Sequence, residues 1–265
     1  GKEPCRHRRR EGKRQAVNPS YPMLAVDAGN SSAKFAVVVR PGGKPRLLAR
    51  VPNEDLTVAC ARDIAKRSGA ASAAAACVVP RTAELLVAAC PRVVLIGPGS
   101  PLNFTTVVNR RTVGADRLAN MAEAARRYGK NVIVADFGTA ATFDLLDGEG
   151  RFAGGAIAPG PRTLALSLAG KAAQLPVAGL LPPKRWAGRG TAEALRAGVA
   201  GGYAGLTLHL LARLEAAAGR APAVVFTGGD APAVARLTGR KAVIDPLWTL
   251  RGIGALGELA RLAHG

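Results

Sequence analysis

The chain has 265 residues, of which 48% are hydrophobic, and its 37 basic and 18 acidic side chains leave a formal charge of +19. That is enough apolar material for one large domain or two small ones, and no run of about 18 apolar residues marks a membrane span. Aromatic residues are only 4% and none interleave with the basic clusters, which argues against a stacking platform for nucleic acid.

In chain order, residues 1–20 come first, with Lys2, Arg6, Arg8, Arg9, Arg10, Lys13 and Arg14 set against Glu3 and Glu11. High charge and low hydrophobicity predict a disordered extension. A solvated tail is the preferred reading of this cluster over attraction to a polyanion, and a nucleic-acid partner is not expected. The segment lacks the apolar stretch of a secretory signal. Cys5, Cys60, Cys77 and Cys90 show neither metal nor redox spacing, and His7, His209 and His264 are scattered. The expected compartment is therefore the reducing cytoplasm.

From Tyr21 the pattern becomes regular. Strands are predicted at 24–27, 34–39 and 47–51, with the turn Pro41-Gly42-Gly43-Lys44 between the last two. A helix over 55–67, a strand over 74–79 stopped by Pro80, a helix over 84–90 and a strand over 93–96 follow. Three strands in a meander, then helix, strand, helix, strand, is the order of a ribonuclease-H-like half. Gly114-Ala115-Asp116-Arg117 opens a helix whose apolar face is Leu118, Met121, Ala122 and Ala125, and Gly129 suits its C-cap. Strands at 131–136, 141–146 and 152–157 then repeat the meander. A glycine-loosened helix over 191–218, short strands at 224–226 and 243–244 and a closing helix over 250–263 complete the second half. The expected organisation is an α/β protein of two ribonuclease-H-like domains, 21–130 and 131–265, with a nucleotide cleft between them.

Two segments use one device twice. Met23–Asp27 is an apolar run ending in Asp27-Ala28-Gly29-Asn30-Ser31, and Val132–Asp136 ends in Asp136-Phe137-Gly138-Thr139. A glycine turn after a buried strand can aim backbone N–H groups and a hydroxyl at phosphate oxygens, while the acid meets a cation or its water. Lys34 can lie back over the first turn. An ordinary hairpin in which Asp27 caps backbone amides would read alike. Asp116 beside Arg117 at a helix start can take a proton from an alcohol while the arginine holds a carboxylate; a favourable charge at a helix N-terminus has the same sequence. Thr227-Gly228-Gly229-Asp230 offers side-chain-free backbone on which a purine can lie. Three glycine turns and strand-end acids in two similar halves fit phosphoryl transfer, and no P-loop or dinucleotide fingerprint is present.

These residues resemble the type III pantothenate kinases of the actin-like and sugar-kinase superfamily. The match consists of Asp27 to Lys34, Val113-Gly114-Ala115-Asp116-Arg117, Asp136 to Ala140, Gly154 to Gly160, Leu175-Pro176, Thr191 and Thr227-Gly228-Gly229, with Val78-Val79-Pro80 as a further segment. The resemblance implies a homodimer that uses ATP to convert pantothenate to 4′-phosphopantothenate, the first step of coenzyme A synthesis. It implies Asp116 as general base, and Gly114, Ala115, Asp116 and Arg117 at the pantothenate site, completed by Thr191 from across the dimer interface. It assigns ATP to Asp27, Ala28, Gly29, Asn30, Ser31, Ser32, Ala33 and Lys34, with Thr139. Asp136 would hold potassium or ammonium, and magnesium would arrive with the nucleotide. The chain departs from the family in having Val107-Val108-Asn109-Arg110 where a tyrosine and an Asn-Pro pair are usual, and Ala172-Ala173 where Thr-Ala is usual. Two other readings share these motifs: a catalytically weak regulatory relative, and a sugar or polyol kinase on the same fold.

Overall fold

A computed structural model describes residues 21–90, 92–171 and 175–264, so the basic segment 1–20 and the Ala172-Ala173 pair lie outside the described residues. The first sheet holds β1 (Met23–Ala28), β2 (Ser32–Val38), β3 (Arg46–Pro52), β4 (Ser72–Cys77) and β5 (Val93–Ile96), in the order β3-β2-β1-β4-β5. The helices α1 (Val58–Ser68) and α2 (Pro80–Ala89) connect its parallel strands. α1 begins three residues later than its pattern suggests, because Thr57 takes the N-cap and its side chain accepts from the Cys60 N–H at 3.1 Å. β4 already ends at Cys77, before Pro80, and Pro80 instead starts α2 four residues earlier than its pattern suggests, where the missing N–H at the first helical position costs nothing.

The second sheet is built from β6 (Thr105–Thr106), β7 (Val132–Phe137), β8 (Ala140–Leu146), β9 (Arg151–Pro159), β10 (Ala223–Thr227) and β11 (Val243–Ile244). Its order, β11-β10-β7-β8-β9-β6, repeats the first sheet's 3-2-1-4-5 arrangement and adds β6 at the edge. The remaining helices are α3 (Ala115–Tyr128), α4 (Pro161–Lys171), α5 (Thr191–Arg196), α6 (Gly202–Ala218), α7 (Ala231–Thr238) and α8 (Trp248–His264). α5 and α6 are one glycine-rich helical region interrupted by a π-helical stretch, Ala197–Gly201; the glycines and the wider turn have the same cause, weak local helix preference.

Strand alternation sends side chains to both faces of each sheet, and the core is accordingly layered. Leu24, Val26 and Phe35 pack against α1 and α2 on one face of the first sheet. Met23, Ala25 and Val38 face the other way, toward α3 and α8. The same central layer meets Val132, Val134 and Phe152 of the second sheet, while Ile133, Ala135 and Phe143 face α6 and α7. Trp248, Leu250, Ile253 and Leu256 of α8 are fully buried in that central layer, each contributing about 1.5–3 kcal/mol of apolar burial. α8 crosses α3 where Gly252 faces the Ala119 backbone, with no room for a Cβ. Two segments cross the expected boundary at residue 130: β6 pairs in parallel with β9, and α8 packs on β1 and β4. Cys60, Cys77 and Cys90 are free thiols packed at the margin of the α1–α2 core.

Candidate active site

β1 and β7 are the central strands of their sheets, and each places its acid one residue before its end: Asp27 in Met23–Ala28, Asp136 in Val132–Phe137. Both strands are buried except at that acid. The turns that follow are tightened by backbone bonds, Gly29 N–H to Ser32 O and Gly138 N–H to Ala140 O, each 3.1 Å. The two turns face each other, and Ser31 Oγ and Thr139 Oγ1 hydrogen-bond at 2.9 Å across 108 residues of sequence. Between them lies a cleft of about 460 Å³ whose walls include Asp27, Gly29, Asn30, Ser31, Ser32, Lys34, Asp116, Asp136 and Thr139. Ala28 and Ala33 are buried in the core of the first sheet and do not line this cleft. Thr191 is exposed and lines a separate cavity with Leu164, Leu168 and Val199.

Asp27 and Lys34 are register partners across β1 and β2, and the ammonium lies 3.0 Å from the carboxylate. Asp136 accepts from Asn120 Nδ2 at 3.1 Å and from Thr249 Oγ1 at 3.5 Å. Burial and the nearby Asp27 carboxylate raise its pKa to about 6, against the pull of Asn120 and Lys34. Asp116 sits in the first turn of α3, whose N-cap is Gly114. A side chain at Gly114 would collide with the Asp116 carboxylate. Burial also raises the Asp116 pKa; the bond it accepts from the Arg117 N–H at 2.9 Å acts the other way. Burial, with the Asp27 charge beside them, thus raises the proton affinity of both Asp116 and Asp136, the pattern expected where a base is tuned toward neutrality.

Arg117 does not line the cleft; its guanidinium is bound by Asp144 of β8, with Nε 3.0 and 3.1 Å from the two carboxylate oxygens. It also sits over the Phe152 ring at 5.5 Å. Asp144 is fully buried, and burial pushes its pKa to about 6 despite the arginine. Gly155, opposite Asp144 on β9, has no space for a Cβ against Phe143 O and the Asp144 carboxylate. The carboxylate that Arg117 holds here is therefore the protein's own, because a charge in the middle of a buried strand must be paired.

The third glycine turn closes the cleft on the side of the second sheet. Gly228 has φ +89° and lies against Asp136 and the Phe137 carbonyl, where only glycine fits. Asp230, at the N-terminus of α7, pairs with Arg162 Nε at 2.6 Å. Gly160 packs on the Gly138 and Thr139 carbonyls, and Thr163 Oγ1 donates to Thr139 O at 2.6 Å. Gly160 and Thr163 thus hold the second glycine turn in place.

Sequence reasoning missed Asp144, Asn120, Asn53 and Thr249. Asp144 carried a signal, an acid inside the apolar run Ala141–Leu146. Asn120 lies four residues after Asp116, hence on the same face of α3, and bridges Asp136 to Thr249, whose Oγ1 donates to Asn120 Oδ1 at 2.9 Å. Asn53 Nδ2 holds the Gly29 and Asn30 carbonyls at 2.9 and 2.8 Å, a contact with no local sequence mark.

The family model for type III pantothenate kinase matches residues 23–213. A type III pantothenate kinase of Acidiphilium cryptum is 35% identical over 249 residues, covering 88% of this chain and 93% of the relative. One from Akkermansia muciniphila is 46% identical over 143 residues, covering 54% of this chain and 59% of the relative. Among solved structures, a conserved putative Baf family transcriptional activator from Campylobacter jejuni superposes with a TM-score of 0.59 at 22% identity, over 88% of this chain and 96% of that one. The paired sheets have the fold of actin-like ATPases and sugar kinases. A family match over most of the chain, with over a third of residues identical along nearly the whole Acidiphilium protein, means that this chain belongs to the type III pantothenate kinases, phosphotransferases of coenzyme A biosynthesis.

Proposed function

We propose that this chain transfers a phosphoryl group from ATP to the primary alcohol of pantothenate, with Asp116 as general base. The observation that carries this reading is the convergence of Asp116 and both Asp-x-Gly turns on one cleft, closed by the Ser31–Thr139 bond. The first turn, Asp27 to Lys34, and Thr139 receive the nucleotide phosphates through backbone N–H groups and hydroxyls. Domains 21–130 and 131–265 supply one turn each. Asp116 takes the proton of the attacking hydroxyl. Gly114 leaves room for that carboxylate, and Arg117, fixed by Asp144, orients the helix start at which pantothenate binds. An assay of ADP release with pantothenate, against a panel of other primary alcohols and sugars, tests it. Release with pantothenate alone is the expected result; release with a sugar instead would replace the substrate.

The half-buried Asp136 carboxylate is steadied by Asn120 Nδ2 and Thr249 Oγ1 and has a neighbouring acid in Asp27, and this pair of carboxylates suits a weakly hydrated monovalent cation. Such an ion supplies charge compensation beside the phosphates, and magnesium comes with ATP. Activity should require potassium or ammonium and be low in sodium, with Asp136→Ala losing most of that response. Equal rates with sodium as the only monovalent cation would remove the ion from the account.

A homodimer is the proposed assembly, and pantothenate and ATP its ligands, in the cytoplasm. Among the described residues no helix is long and apolar enough to cross a membrane. Leu166, Leu168, Val177, Leu181 and Trp186 are exposed, Leu168 in the cavity that Thr191 also lines, and Gly198, Gly202 and Gly205 face open space. An apolar surface beside a side-chain-poor helix favours a two-fold contact. If Thr191 serves the partner's site, mixing Thr191→Arg with Asp116→Asn, each inactive alone, restores activity: each mixed dimer keeps one site without either lesion. No recovery after proven subunit exchange would place both residues in one subunit's own site.

A further inference from the structure

The cleft has one cation that the phosphate turns do not account for. Register places Asp27, Lys34 and Arg50 side by side across β1, β2 and β3, on the same face of the first sheet. Two like charges directly opposite one another on neighbouring strands are unfavourable, and among the described residues the one ion pair of Asp27 is with the lysine. Arg162, the other arginine of the cleft wall, is held by Asp230. Among the described residues Arg50 forms no ion pair. Its Nε donates to Ser32 Oγ at 3.1 Å, at the end of the first phosphate turn. Its Nη1 reaches across the cleft to within 4.0 Å of where a Cβ on Gly229 would stand. The guanidinium is therefore aimed from the first sheet toward the third glycine turn, anchored through one N–H and with its outer N–H groups facing the cleft.

We infer that Arg50 binds the polyphosphate of the nucleotide, bridging the first phosphate turn and the Gly228-Gly229 turn around it. A planar guanidinium with several donors suits bidentate contact with phosphate oxygens. A bound polyanion also relieves the Lys34–Arg50 repulsion, so the site favours nucleotide with its phosphates over nucleoside. The proposal rests on ATP being the phosphate donor, not on pantothenate being the acceptor.

The test is equilibrium binding of ATP, ADP and adenosine to the whole chain and to Arg50→Met and Arg50→Lys, with thermal melts as a check of folding. Losing charge-assisted hydrogen bonds should weaken ATP and ADP about tenfold in Arg50→Met, with adenosine and pantothenate changed less than about twofold. Arg50→Lys keeps the charge but not the fork, and should fall between. Unchanged ATP and ADP affinity in either folded variant would overturn the proposal. So would adenosine weakened as much as ATP, which would make Arg50 a support for the Gly229 turn. A wild-type protein that binds ATP but phosphorylates a different alcohol would end the pantothenate reading and leave Arg50 in place; one that binds no ATP would end both.

Discussion

Asp116→Asn should lower turnover about 100-fold or more, the usual scale for removing a positioned general base, while leaving ATP binding in place. The substitution keeps the shape of the side chain and its bond from the Arg117 N–H, so the helix start is undisturbed. The pH dependence follows from the same residue. The base must be ionised, and burial and Asp27 raise its pKa. Its ionised fraction is therefore lost at a higher pH than for an ordinary carboxylate, and the acid limb of the rate profile should be displaced upward accordingly. Asp136, with a pKa of about 6, adds to the loss in the same direction if its charge is needed near the phosphates. Turnover by Asp116→Asn within a few-fold of wild type, measured at saturating ATP, would take the base role away from this residue.

The second large effect is expected at Asp144. Asp144→Ala leaves the Arg117 guanidinium without its counter-charge inside the protein, and breaking a buried pair on one side costs about 3–5 kcal/mol. Replacing both partners by apolar residues, Asp144→Leu with Arg117→Met, removes the charges together and should recover much of that stability. Kinase activity should not return with it, because the arginine is no longer at the helix start beside Asp116. Chemical denaturation of the single and double variants measures the first part, and ADP release measures the second. A single variant nearly as stable as wild type would mean that the pair is dispensable to the fold. An active double variant would mean that Arg117 has no part in the site.

The elements that position the chemistry were legible because their signals are local. Apolar runs ending in Asp-x-Gly mark β1 and β7, and the meander that follows each is written in alternation and turn glycines. The helix start at Asp116 is marked by Gly114 before it and Gly129 after it. Contacts made only by the assembled sheets were not legible. Arg50 gains its meaning from lying opposite Lys34 across a register that no single strand encodes. Asn120 reads as one polar residue in an apolar helix until α8 brings Thr249 against it. Thr191 lies apart from the cleft within one chain, where it lines a separate cavity. Within one chain Gly198, Gly202 and Gly205 face open space, and Gly201 packs against Trp186.

The most direct test of the central claim is to identify the product. Incubating the protein with ATP, magnesium, a potassium salt and pantothenate, then analysing the mixture by phosphorus NMR and mass spectrometry, should reveal phosphopantothenate formed in step with ADP, and none with Asp116→Asn on the same timescale. ADP formed without any phosphorylated pantothenate, or pantothenate left unchanged by a protein that binds ATP, would contradict the account.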